Sequence, residues 1–158
     1  MNCYFEHYDA EELNDLFLHL LQSPEHKIAF LQLAHIVAKA DGFVARNERG
    51  YLRAFMEEME IYELEAPLEE DLPLEALAER VRDEQARNIF IAEILLLVFA
   101  DGRYDEKERR IVADLKRAFG YSEAGYEAIK DWVIRMDRLR TEGVKLILDP
   151  SWQTGDNR

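Results

Sequence analysis

The chain writes one phrase twice. Residues 38–49 read AKADGFVARNER, and residues 98–109 read VFADGRYDEKER. A shift of sixty residues lays Phe30 on Phe90, Ala40 on Ala100, Asp41-Gly42 on Asp101-Gly102 and Glu48-Arg49 on Glu108-Arg109. A repeat of this kind constrains the fold strongly, because one short unit cannot bury its apolar face alone and must pack on its copy. Each copy reads as an apolar helix, an Asp-Gly turn and an amphipathic helix. Two copies predict an all-α multihelical bundle built from duplicated helix–turn–helix units, with the two apolar helices at its core.

The helical reading extends along the chain. Asp9 and Glu12 form a capping box that opens a helix carrying Leu13, Leu16, Phe17, Leu20 and Leu21 on one face. Ser23-Pro24 ends that helix and starts the next, since proline at the first helical position loses no hydrogen bond. The next helix runs to about Ala40, with Ile28, Leu31, Ala34 or His35, and Ala38 as one stripe, widened by Phe30, Leu33 and Val37. A third, from about Arg46 to Glu60, buries Leu52, Phe55, Met56 and Met59. The stretch IYELEAPLEEDLP connects the halves and is ordered by Ile61, Tyr62 and Leu64. LEALAERVRD is a short helix. Glu84 to Ala100 is apolar on most sides and belongs at the bundle centre. Residues 106–119 follow, stopped by Gly120, and Ser122 caps a last helix that uses Tyr126, Ile129, Trp132, Val133, Met136 and Leu139 and ends near Gly143. Residues 1–150 then form a single domain with pseudo-repeats at about 24–61 and 84–121, and 151–158 form a tail in which Trp152 can dock.

The two turns carry a chemical possibility. Asp-Gly-x-Φ-x-x-x-Glu, where Φ is bulky and apolar, matches the second half of a calcium-binding EF-hand loop. The first half fails: its ligand positions fall on Val37 and Lys39 in copy one, and on Leu97 and Phe99 in copy two. None offers a side-chain oxygen, so an EF-hand is rejected. A looser acidic site stays open if the two turns meet. Its oxygen ligands are Asp41, Glu48, Asp101, Asp105 and Glu108, which suit Ca²⁺, Mg²⁺ or Mn²⁺. The competing reading is purely structural: Asp105 and Glu108 cap a helix, each glycine stops one, and glutamate near a helix N-terminus favours the macrodipole. Ala45 stands where Asp105 stands, so copy one lacks the cap yet keeps Asp41 and Glu48.

At these residues the sequence resembles the TerB-like family, small helical proteins associated with tellurite resistance. The resemblance rests on ADGFVARNE and ADGRYDEKE in matching helical context and covers about residues 24 to 140. It implies a compact, duplicated all-α bundle. It also implies a non-enzymatic stress-response role, through metal binding or as an interaction module near the cytoplasmic face of the membrane. By position, the family's acidic motif falls on Asp41, Glu48, Asp101 and Glu108. Copy one departs from it with Ala45 and Asn47 in the turn, which implies unequal sites.

Charge sharpens the expectation about partners. The net charge of −13 lies wholly in residues 1–79, which hold 18 acidic and 5 basic residues. Between Arg53 and Arg80 stand ten Asp or Glu and no Lys or Arg. Such a surface repels nucleic acid and anionic lipid, and attracts cations or a basic protein patch. Protein partners are therefore expected and nucleic acid is not; the resemblance implies membrane-associated partners among them, and an exposed apolar groove between the halves would favour an adaptor or a homodimer. The longest apolar run, Ile94 to Ala100, is bounded by Glu93 and is far shorter than the roughly 20 residues of a spanning helix. The N-terminus lacks a signal-peptide layout, and Cys3 is the only cysteine, which excludes an intrachain disulfide and a multi-cysteine zinc site. These features predict a cytoplasmic protein. No phosphate loop, G-x-S-x-G or H-E-x-x-H appears, and no carboxylate pair is singled out for acid–base work. His26 and His35 are too far apart on one helix to form a pair, and His35 reads as a boundary histidine. The expected function is an acidic interaction module that binds divalent metal, or alternatively a pure protein scaffold whose Asp-Gly motifs are only structural.

Overall fold

The computed structural model describes residues 17–41, 48–99, 106–149 and 151. Every regular element among them is helical: a 3-10 turn at Leu18–Leu20, then α1 (Pro24–Asp41), α2 (Glu48–Glu58), α3 (Leu74–Arg80), α4 (Glu84–Phe99), α5 (Glu106–Ala118) and α6 (Glu123–Leu148).

Local chemistry sets these boundaries. Pro24 opens α1, and the Ser23 carbonyl accepts the Lys27 N–H at 3.1 Å. Asp83 caps α4 by accepting the Ala86 N–H at 2.8 Å, and Ser122 caps α6 by accepting the Gly125 N–H at 3.1 Å. Helices α2 and α5 end in the same way. Ile61 N–H reaches the Met56 carbonyl at 2.7 Å, and Tyr121 N–H reaches the Lys116 carbonyl at 3.0 Å. The residues between are left-handed: Glu60 at φ 58° and Gly120 at φ 69°. This is the Schellman closure, in which one left-handed residue lets the chain satisfy its last carbonyls.

Helices α1 and α4 hold the centre. Helix α1 touches α2, α3, α4 and α5, while α4 touches α1, α5 and α6. A row of four rings crosses the core. Phe55 of α2 meets Phe30 of α1 at 5.2 Å, Phe30 meets Phe90 of α4 at 5.2 Å, and Phe90 meets Phe119, just beyond α5, at 6.0 Å. The first two pairs stand edge to face, the arrangement favoured by the ring quadrupole. Cationic side chains then close helix ends. Lys27 Nζ donates to the Met59 carbonyl at 2.8 Å. Arg87 donates to the carbonyls of Phe119 (3.0 Å), Ala78 (2.9 Å) and Val81, and lies over the Phe119 ring. Positive charge at helix C-termini also opposes the macrodipole favourably.

Several expectations need correction. The described end of the expected first helix is a 3-10 turn at Leu18–Leu20, and residues before Phe17 lie outside the described residues. The Phe17 N–H is taken by Glu93 Oε1 of α4 at 2.7 Å, so it is not given to a carbonyl one helical turn earlier. Tyr62 does not order the α2–α3 connection, being 91% exposed; Ile61, Leu64, Leu68 and Leu72 pack on the core instead. Gly143 does not end α6, which runs on to Leu148. A single glycine costs a helix only about 1 kcal/mol and need not stop it. Ile28, Trp132 and Leu139 were expected inside and are exposed. Trp152 lies outside the described residues.

Candidate functional site

The connection between α2 and α3 makes a site because α1 grips it from one side. Gln32 is buried in α1, and its amide pairs both ways with the backbone of Glu69. Nε2 donates to the Glu69 carbonyl at 2.7 Å, and the Glu69 N–H donates to Oε1 at 2.8 Å. Two turns further along, Lys39 Nζ donates to the Glu70 carbonyl at 2.9 Å, to Glu70 Oε2 at 3.0 Å and to Asp71 Oδ1 at 3.4 Å. His35 lies between them, with Nε2 3.7 Å from Glu70 Oε1, at the boundary position read from the sequence. From α3, Arg80 reaches Glu69 Oε1 at 2.8 Å. The connection is thus pinned at Glu69–Asp71, while Ile61 and Leu64 of its first half pack on the core.

An open groove of about 1180 Å³ lies between the start of α1, residues 60–69 and the α3–α4 junction. Pro24, Ile28, Ile61, Leu64 and Leu68 give it apolar walls. Seven carboxylates line it, from Glu25, Glu60, Glu63, Glu65, Glu69, Glu79 and Asp83, against Lys27, Arg80 and Arg82. Lys27 is engaged with the Met59 carbonyl and Arg80 with Glu69. Carboxylates outnumber cations on the remaining rim, so the groove presents negative charge around apolar surface. Glu60, on that rim, is the one non-glycine residue with positive φ among the described residues. A left-handed L-residue costs roughly 1–2 kcal/mol, and such strain gathers at functional positions.

Electrostatics at the pinned end follow from the contacts. The hydrogen bond to Glu70 raises the Lys39 ammonium above its usual 10.5, with the neighbouring Asp71 charge adding to it. The same hydrogen bond from Lys39, and then its charge, hold the Glu70 carboxyl below its usual 4.5.

The sequence-derived ligand set sits elsewhere. Asp41 is the last residue of α1 and Glu48 the first of α2, so a carboxylate residue stands on each lip of the first Asp-Gly turn. Glu108 lies in the first turn of α5. The side chains of Asp41, Glu48 and Glu108, and the whole of Asp101 and Asp105, lie outside the described residues. Asp41 ends α1 some 26 Å, by helix geometry, from the groove at Pro24. Among the described residues, no group of three or more His, Cys, Asp or Glu stands in a metal-binding arrangement.

Sequence reasoning flagged the charge of the connection and missed the grip beneath it. Gln32 and Glu93 are the two buried polar side chains among the described residues. Both lie in apolar runs, where a single polar residue gives no sign of a partner far along the chain. Arg87 was missed because it stands in a polar stretch, EQARN, where nothing local marks the carbonyls of Ala78, Val81 and Phe119 as its partners.

The profile of the family described as tellurite resistance protein TerB matches residues 27–131. The chain belongs to the TerB family. That match takes in α1 through the first turns of α6 and most of the groove. No curated protein and no solved structure matched the chain. The TerB region is all-helical among its described residues, and no described helix is long and apolar enough to cross a membrane.

Proposed function

We propose that this TerB-family chain is a non-enzymatic, acidic interaction module of the tellurite-resistance-associated class, and that its groove receives a basic amphipathic segment of a protein partner. One observation carries the reading: apolar walls with a surplus of carboxylates, held open by the Gln32–Glu69 pairing. A lysine- or arginine-bearing peptide buries its apolar side on Ile28 and Leu64 and places its charges on the rim. Electrostatic complementarity of this kind sets partner choice and association rate. Membrane-associated partners enter as proteins, since the acidic surface disfavours anionic lipid itself.

The test is fluorescence anisotropy with a labelled Lys/Leu amphipathic peptide and an acidic counterpart. The basic peptide binds, chelator has no effect, and added salt weakens binding. Glu63→Lys/Glu65→Lys weakens it by about tenfold, which corresponds to about 1.4 kcal/mol. Equal binding of the acidic peptide, or no change in the variant, sinks the proposal.

Internal duplication is part of the same reading. The sixty-residue offset relates the starts of α1 and α4, the ends of α2 and α5, and the left-handed Glu60 and Gly120. It also relates the bond from Lys27 to the Met59 carbonyl and that from Arg87 to the Phe119 carbonyl. These pairings support one unit used twice, within a domain spanning residues 1–150.

The placement of Asp41 and Glu48 on the two lips of one turn favours a second reading, a divalent-cation site shared with Asp101, Asp105 and Glu108. Its test is thermal unfolding of chelated protein with Ca²⁺, Mg²⁺ or Mn²⁺, beside Asp41→Asn/Asp101→Asn. An ion at about 100 times its dissociation constant adds about 2.7 kcal/mol to the wild type and nothing to the variant. No shift with any ion leaves the turns as helix punctuation.

A further inference from the structure

Tyr62 is a large ring that the folded chain leaves in water. At 91% it is the most exposed large hydrophobic side chain among the described residues. Its neighbours Ile61 and Leu64 pack on the core. The backbone is therefore anchored on both sides of Tyr62, which projects at the rim of the groove it helps to line.

The other tyrosines whose side chains are described each have a partner. The Tyr121 hydroxyl donates to Asn88 Oδ1. Tyr126 carries two cations over its ring, Lys116 Nζ at 4.8 Å and Lys130 Nζ at 5.7 Å from the centroid. Among the described residues, Tyr62 makes no ring contact, no cation contact and no hydrogen bond. Carboxylate residues flank it in the chain: Glu60 before it, Glu63 and Glu65 after it, all exposed on the groove's rim. The groove's own cations are engaged elsewhere. Lys27 holds the Met59 carbonyl, Arg80 holds Glu69, and Arg82 donates to the Glu79 carbonyl at 3.3 Å.

A free aromatic face among carboxylates suits one side chain above others. A guanidinium is flat and always charged. It stacks on a ring and still offers N–H donors at its edge to carboxylates beside it. An ammonium is a compact, strongly hydrated charge that pairs with the carboxylates and gains little from the ring. Tyrosine and arginine are also among the side chains that dominate binding energy at protein interfaces.

We infer that Tyr62 makes the groove selective for arginine: the partner's segment is anchored by an arginine whose guanidinium lies on the Tyr62 ring and bonds the carboxylates of Glu60 and Glu63. This rests on the reading of the groove as the acceptor of a basic segment, and adds which cation that segment must carry.

Fluorescence anisotropy with two labelled amphipathic peptides tests it. The peptides share one sequence, with arginine at every basic position in the first and lysine in the second. Their charge is equal, so a groove that reads charge alone binds them equally. The wild type binds the arginine peptide about fivefold more tightly. Tyr62→Ala, at a position outside the core, abolishes the preference by weakening the arginine peptide alone, with an unchanged far-UV spectrum. Tyr62→Phe keeps the ring and keeps the preference. Equal binding of the two peptides by the wild type overturns the inference and leaves the groove reading standing. So does an arginine preference that survives Tyr62→Ala, because paired carboxylate bonds to the guanidinium then supply it without the ring. Binding of neither peptide overturns both.

Discussion

Two residues sixty apart do the same work with different chemistry. Glu60 and Gly120 both turn left-handed to close a helix, and only the glycine does so without a Cβ penalty. A Cβ built on Gly120 meets nothing within 4 Å, so backbone conformation alone decides the cost there. Glu60→Gly should therefore stabilise the protein by about 0.5 to 1 kcal/mol, while Gly120→Ala destabilises it by about 1 kcal/mol. Urea denaturation of the two variants measures both signs. Gly120 was legible as a helix stop, because glycine after an amphipathic run is a standard signal. Glu60 was not, because nothing in a glutamate marks a left-handed turn.

The Lys39–Glu70 pair makes a pH prediction at the same scale. The folded Glu70 carboxyl binds its proton less readily than the unfolded one, so its stabilisation is complete above about pH 4.5 and fades as pH falls below. The folded Lys39 ammonium holds its proton more tightly, so its stabilisation is complete below about pH 10.5 and fades as pH rises above. The stability difference between wild type and Lys39→Met/Glu70→Gln should form a plateau between these limits and shrink with salt, since both groups are exposed. At the alkaline edge Tyr121 acts in the same direction. Partial burial pushes its phenol up to about 12, so stability is lost between about pH 10 and 12 as the unfolded chain ionises first.

Among the elements, the α2–α3 connection has shape without secondary structure, and Gln32 supplies it. Gln32→Leu leaves the Glu69 N–H and carbonyl without their partner and should cost about 1–3 kcal/mol. Amide exchange at residues 60–72 should quicken, while α4 stays protected. Uniform acceleration across all helices would mean that the pairing supports the whole fold and not the groove. Helix existence was readable nearly everywhere, because the apolar period and the caps at Ser23 and Ser122 are local. Helix extent was less so. Gly143 looked like a terminator, yet the backbone bonds of α6 run past it until Asp149 N–H bonds the Lys145 carbonyl at 2.9 Å.

For the molecule as a whole, the phenylalanine row ties the halves into one unit. Phe30 touches Phe55 on one side and Phe90 on the other. Phe30→Ala should cost about 3–5 kcal/mol and lower far-UV and tryptophan signals together, since no half retains a complete core. Two separated transitions would show that the halves fold apart. The centrality of α4 was visible in its nearly unbroken apolar composition. The groove was half visible: its charge stands in the sequence, but its walls come from α1, a connection and the α3–α4 junction, distant segments that no local pattern brings together.

The latch at Gln32 is built from an amide and a peptide group, neither of which gains or loses a proton in ordinary conditions. The groove's outline therefore rests partly on uncharged groups, beside the Lys39 and Arg80 ion pairs, while its pull on cations depends on carboxylates. Acid or high salt that silences the pull also slackens those ion pairs, and the amide latch is the part of the mould that neither condition touches.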